Sequence, residues 1–236
     1  LLVAGVVVVV WYMRKKREFL RQRFFQQINR VRMENLRSRI SPHFTFNVLG
    51  REINQFNGSE EVKHNLMELV KYLRRSLELT EKLSVSLQDE LDFVRTYIEL
   101  ERGRVGEDFV ATVTVEDGLD ATRIMIPSMI VQISVENAIK HGLAGKDGKK
   151  ELSVYVSRET NGIRITVTDN GRGYLPQVVS ATRGTGTGLK VLYQTIQLLN
   201  TKNKSDKIRF DITNRSDGQT GTEVSVYIPF RFSYDL

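Results

Sequence analysis

The hydrophobic positions change period several times along the 236 residues. From Arg14 to about Gly50, Leu20, Phe24, Ile28 and Val31 recur at steps of three or four with polar flanks. That narrow stripe predicts a helix with a coiled-coil-like seam. The turn signal Phe56-Asn57-Gly58-Ser59 interrupts it, and Leu66, Val70, Leu73 and Leu77 then follow in heptad spacing as a second helix. Two helices joined by a short loop bury too little surface alone. The expected solution is a helical hairpin that pairs with a second copy, making a homodimer around a four-helix bundle.

Residues 84–87 break the helical pattern, and residues 88–104 resume it with Leu91, Val94, Tyr97 and Ile98 on one face. Beyond Gly103 and Gly106 the period falls to two, predicting strands at 109–115, 152–157, 163–168, 208–212 and 223–228. Helices are predicted at 128–141 and 188–200. This order predicts an α+β fold, a two-layer sandwich with helices on one face of a mixed sheet. The chain thus divides into an apolar start (1–13), a helical dimerisation region (14–104) and an α/β sandwich (105–236).

The apolar start carries no charge from Leu1 to Met13 and includes five successive valines. As a helix it would span about 20 Å, less than the roughly 20 residues a bilayer crossing takes. The chain begins without Met inside this run, so it is expected to be the C-terminal part of a transmembrane helix. Trp11 and Tyr12 suit an interfacial belt, and the basic cluster from Arg14 to Arg17 suits the positive-inside rule. A bacterial inner-membrane anchor, with residues from about 14 onward in the cytoplasm, is the expectation. A net charge of +7 could also suit nucleic acid. Ten of the 35 basic residues, however, lie between Arg14 and Arg39, directly after the apolar run, and no direct nucleic-acid partner is expected. The absence of Cys removes disulfides and thiolate chemistry, and three His make a multi-His metal site an unlikely design.

Neither a P-loop nor a Rossmann glycine pattern fits this sequence. Two glycine clusters remain: Asp169-Asn170-Gly171-Arg172-Gly173 at a strand end, and Gly184-Thr185-Gly186-Thr187-Gly188 at a helix start. Glycines let backbone N–H groups approach phosphates, and a helix N-terminus favours anions. A hairpin at Asn170-Gly171 is the competing reading, but no return strand follows Tyr174-Leu175-Pro176. Upstream, Asn137 and His141 fall one helical turn apart on a common face. An amide oxygen is a suitable hard ligand for Mg²⁺, which completes its shell with phosphates and water.

Taken together and in this order, Glu136 to Gly142 (ENAIKHG), Asp169 to Tyr174 (DNGRGY) and Gly184 to Leu189 (GTGTGL) resemble the N box and the two glycine boxes of the Bergerat-type ATPase fold. That fold is shared by histidine kinases, gyrase-type ATPases, Hsp90 and MutL. Ser41-Pro42-His43-Phe44-Thr45-Phe46-Asn47-Val48-Leu49 is similar to the phosphoacceptor motif of LytS/YehU-like sensor histidine kinases. The stretches from Tyr72 to Leu77 and from Leu87 to Leu91 resemble that family's linker patterns.

The resemblance implies a Mg²⁺-ATP-dependent histidine kinase that phosphorylates His43 and passes the phosphoryl group to an Asp of a response-regulator receiver domain. Asn137 would hold Mg²⁺, Asp169 the adenine amino group, and Gly171 and Gly173 would admit the base. Gly184, Gly186 and Gly188 would line the phosphates, with Lys140 and His141 nearby and residues 174–183 as a lid. Asn47, four residues after His43, would orient water for regulator dephosphorylation. Three departures stand out: Phe44 follows His43 where many kinases carry an acid, Ile133-Ser134 replaces Pro-Leu before the N box, and Val191 replaces a customary Asn. The alternatives are an ATPase of another Bergerat class, whose water-activating Glu would stand at Ile133, and a membrane-tethered relay with a degenerate nucleotide site.

Overall fold

A computed structural model describes residues 11–16, 60–174, 187–201, 203 and 205–234 of the chain. His43, Asn47, Gly184, Gly186 and most of the expected lid lie outside the described residues, as does the start of the apolar run. Among the described residues no helix is long and apolar enough to cross a membrane.

Helix α1 (Glu60–Glu81) packs one face against helix α2 (Leu87–Val105). Leu69, Ser76, Leu79 and Thr80 of α1 are buried, and Tyr72 stacks on Phe93 of α2 with ring centroids 4.8 Å apart. Of the expected heptad positions, Leu73 is half-buried and Leu77 remains 46% exposed. Helix α2 starts at a local cap, where Ser86 Oγ accepts a hydrogen bond from Asp89 N–H at 3.1 Å, and ends at Gly106 with φ 112.

Strand β1 (Ser84–Ser86) pairs antiparallel with β3 (Met125–Pro127). Three residues are too few to show a period, so the sequence reads β1 only as a helix break. The main sheet contains β2 (Phe109–Val115), β4 (Lys150–Glu159), β5 (Gly162–Asp169), β6 (Arg209–Asn214) and β7 (Thr222–Pro229) in the order β2-β4-β5-β7-β6. Only β2 and β4 run parallel; the other neighbours are antiparallel.

Alternation sorts the side chains. Leu152, Val154 and Val156, then Ile163, Ile165 and Val167, then Val224, Val226 and Ile228 point into one core. Helix α3 (Ile130–Asn137) and helix α4 (Thr187–Asn200) join that core through residues such as Ile130, Val131, Leu192 and Ile196. The mixed sheet with helices on one face matches the expected sandwich.

Helix α2 packs with the sandwich. Leu87, Leu91, Val94, Tyr97 and Ile98 of α2 belong to the same hydrophobic core as the sheet. Leu87 N–H and Gln88 N–H donate to Ile124 O and Ala121 O at 2.8 and 3.0 Å, tying the start of α2 to the segment before β3.

Candidate nucleotide-binding site

Asp169 is the last residue of β5, on the inward face, and is only 4% exposed. Its Oδ1 accepts the Gly171 N–H at 2.8 Å, and Thr222 adds backbone and hydroxyl bonds that favour the charged form. Burial outweighs them and raises its pKa above the ordinary carboxylate value.

Backbone from two other segments, at Gly142 and Gly221, closes around Asp169 and its neighbour Gly171. A Cβ on Gly142 would stand 2.7 Å from Asp169 Oδ1, one on Gly171 would stand 2.1 Å from the Gly142 carbonyl oxygen, and one on Gly221 would stand 1.9 Å from the Asp169 carbonyl oxygen. At Gly171 and Gly221 the nearest obstacle is backbone, which leaves no room for a side chain; at Gly142 it is the Asp169 side chain. Gly221 also has φ 140, and Gly173 has φ 85 with Asn214 Oδ1 2.8 Å from where its Cβ would be.

The Asp169–Tyr174 segment is pinned on both sides. Asn170 accepts the Glu151 N–H at 2.8 Å and donates to Lys149 O at 3.0 Å, while Tyr174 N–H donates to Asn214 Oδ1 at 2.6 Å. Asn170 is therefore spent on the neighbouring strand, which is why Asn-Gly here makes no hairpin. Gly221, Thr222 and Asn214 were not among the expected site residues. The available signal was a glycine immediately before the alternating strand from Thr222 to Ile228.

Asn137 ends helix α3, and the helix continues as a π turn over Ala138–Gly142, closed by Leu143 N–H donating to Ala138 O at 2.8 Å. The wider turn carries Gly142 onto Asp169. Asn137 and His141 are both half-buried. Asn137 Nδ2 donates to Ile133 O at 2.8 Å, and among the described residues no donor reaches its Oδ1. That oxygen is free to act as a ligand, and one protein oxygen suffices for a Mg²⁺ otherwise held by phosphates and water. No cluster of three His, Asp or Glu suited to a metal occurs among the described residues.

Lys140 forms an ion pair with Glu136 one turn earlier. The pKa of His141 is lowered by burial first, then by the positive charges of Lys140 and Arg172, so its ring is neutral at pH 7. Gly188 opens helix α4 against Ile133, whose Cγ2 would be 3.4 Å from a Cβ on that glycine. The structure thus gathers Asn137, Lys140, His141, Asp169, Gly171, Gly173 and Gly188 around the ends of α3, β5 and α4.

A buried aspartate ringed by glycines, beside a helix end that presents an uncommitted amide oxygen, makes this the candidate nucleotide site. The family model described as histidine kinase matches residues 31–109, and the one described as histidine kinase-, DNA gyrase B- and HSP90-like ATPase matches residues 122–231. The chain belongs to the LytS-like histidine kinases.

Among curated relatives, "Sensor histidine kinase/phosphatase LytS" of Staphylococcus aureus (strain MRSA252) is 30% identical over 207 residues, covering 84% of this chain and 34% of that protein. "Sensor histidine kinase YpdA" of Escherichia coli (strain K12) is 28% identical over 205 residues, covering 86% of this chain and 35% of that protein. The chain therefore spans about a third of the length of these relatives. Among solved structures, the histidine kinase domain from the Erythrobacter litoralis EL346 blue-light activated histidine kinase gives a TM-score of 0.46 at 18% identity, covering 80% of this chain and 96% of that chain.

Proposed function

We propose that the chain is the kinase portion of a two-component sensor, transferring the γ-phosphoryl group of ATP to His43 and then to an aspartate of a response-regulator receiver domain. The observation that carries this reading is the glycine-walled carboxylate of Asp169 next to Asn137, in a chain whose upstream segment has the phosphoacceptor pattern around His43.

Asp169 accepts a hydrogen bond from the adenine amino group, and Gly171 and Gly173 leave room for the ring. Asn137 Oδ1 would hold Mg²⁺, which would supply charge neutralisation at the phosphates. Lys140, His141, Gly184, Gly186 and Gly188 serve the phosphate side. The neutral imidazole nitrogen of His43 attacks the γ-phosphorus as the bond to the ADP oxygen breaks, and the phosphoryl group later passes to a regulator carboxylate. In-line positioning and charge neutralisation supply most of the acceleration in such transfers. Asn47 orients water in the reverse, dephosphorylating reaction. An ATPase that activates water is disfavoured by the buried Ile133 at the position where that class places a Glu.

The functional unit is a homodimer. Leu77 lies exposed on α1, outside the surface that α2 covers, which supports pairing through a bundle. Residues 1–13 are the end of a membrane anchor, with the kinase on the cytoplasmic side of the inner membrane; the apolar run followed by Arg14 to Arg17 supports this.

The test is incubation with γ-labelled ATP and Mg²⁺. Acid-labile label that disappears in His43→Gln is expected, and full labelling of that variant would overturn the assignment.

A further inference from the structure

The helix that ends in Asn137 does not begin on its own resources. Helix α3 has eight residues, and Met129 at its N-cap adopts φ 71 and gives no side-chain hydrogen bond. The first N–H groups of any helix lack intrahelical partners and need acceptors from elsewhere. Here the acceptor is the carboxylate of Glu90 on helix α2. Glu90 is fully buried; its Oε2 accepts Met129 N–H at 2.7 Å, and its Oε1 accepts Val131 N–H at 2.7 Å and Gln132 N–H at 3.3 Å.

Helix α1 reaches the same place. Ser128 Oγ donates to Leu79 O, Ser128 N–H donates to Leu83 O at 3.2 Å, and Gln132 Nε2 donates to Tyr72 Oη at 3.3 Å. Tyr72 in turn stacks on Phe93, three residues beyond Glu90. The starting end of α3 is therefore held by the helical region, while its far end meets Asp169 through Gly142.

A buried carboxylate is costly unless its charge is fully hydrogen-bonded, and a local Ser or Asp could have capped α3 without it. A charge-assisted set of bonds is roughly twice as strong as neutral ones, and a negative group at a helix start is favoured by the dipole. An eight-residue helix spans only about 12 Å, so its two ends are closely linked. A shift or rotation of α2 is thus delivered at Asn137.

We infer that Glu90 is a positioning residue that couples the α1–α2 helices to Asn137, so that the disposition of the helical region sets the competence of the ATP site. This inference rests on the proposed role of Asn137 and concerns how that site is regulated. Glu90 acts through the backbone N–H groups at the start of α3.

The full chain with Glu90→Gln tests it, since the amide keeps the shape and loses the charge that serves three N–H groups. Three readouts separate the outcomes: hydrogen exchange of residues 129–142, binding of a fluorescent ATP analogue without Mg²⁺, and the Mg²⁺ dependence and kcat of labelling at His43. Coupling predicts faster exchange in α3, metal-free binding within about twofold of the parent, and a fall in kcat of about tenfold or more with a raised Mg²⁺ requirement. Faster exchange with an unchanged kcat and Mg²⁺ response would show a cap that only stabilises, and would overturn the inference. A parallel loss of metal-free binding would overturn it too, because the adenine side would then depend on Glu90. If Glu90→Gln does not fold, Glu90→Asp, which keeps the charge but draws it back by one carbon, is read by the same criteria. A parent chain that binds the analogue but never labels His43 would instead count against the kinase reading, and the Mg²⁺ dependence of analogue binding in the two proteins would still decide the coupling.

Discussion

Gly142 and Asp169 are packed so closely that a Cβ on the glycine would lie 2.7 Å from the carboxylate oxygen. Gly142→Ala should therefore push the Asp169 side chain aside and weaken nucleotide binding by about tenfold or more, equivalent to roughly 1.4 kcal/mol. Gly221→Ala meets the Asp169 backbone most closely, and does so at φ 140. Its main effect should be on stability, a loss of about 1–3 kcal/mol. Urea unfolding and nucleotide titration of both variants check this; equal effects on stability would contradict the distinction.

Asp169 makes stability depend on pH in a definite direction. Burial raises its pKa, so the folded state binds the proton more readily than the unfolded chain. The penalty for the charge is absent below about pH 4, the ordinary carboxylate value, and grows as pH rises through the raised value. Asp169→Asn removes the charge. Its stability relative to the parent should increase between acid and neutral pH while adenine binding falls sharply. Unfolding curves collected across that range would disprove the assignment if the two proteins kept a constant difference.

For Asn137→Ala, loss of the only proposed protein ligand to Mg²⁺ should slow labelling at His43 by about tenfold to a hundredfold, or roughly 1.4–2.7 kcal/mol in the barrier. Nucleotide binding without metal should change little, because Asp169 and its glycines are untouched. Single-turnover labelling across a Mg²⁺ series is the measurement, and a normal rate at low Mg²⁺ is the contrary result.

Helix α2 should be indispensable to the nucleotide-binding unit. A fragment of residues 84–236 retains Leu87, Leu91, Val94, Tyr97 and Ile98 in the core, whereas one of residues 106–236 exposes the surface they cover. Each such side chain contributes about 1.5–3 kcal/mol on burial, and total stabilities are only about 5–15 kcal/mol. The longer fragment should melt cooperatively and bind ATP; the shorter should do neither. Circular dichroism and calorimetry decide, and a cooperative melt of the shorter fragment would show that α2 is dispensable.

The sequence by itself determined the elements whose periods are long enough to be read. The alternating strands from Phe109 to Val115 and from Gly162 to Asp169, and the helix from Thr187 to Asn200, occur where their patterns place them. The glycine motifs likewise marked places of close backbone approach, at Gly142 and Gly171, where a side chain would collide with its neighbours. What only the tertiary structure decided are relations between residues far apart in the chain. Strands β1 and β3 exist through their pairing, and Gly221 and Asn214 join the site through the return of β6 and β7 beside β5. Glu90 reads as one more polar residue of an amphipathic helix until folding brings the unpaired N–H groups of Met129, Val131 and Gln132 to it. A residue's period reports which face it occupies; the partner that face will meet is fixed by the packing of the whole chain.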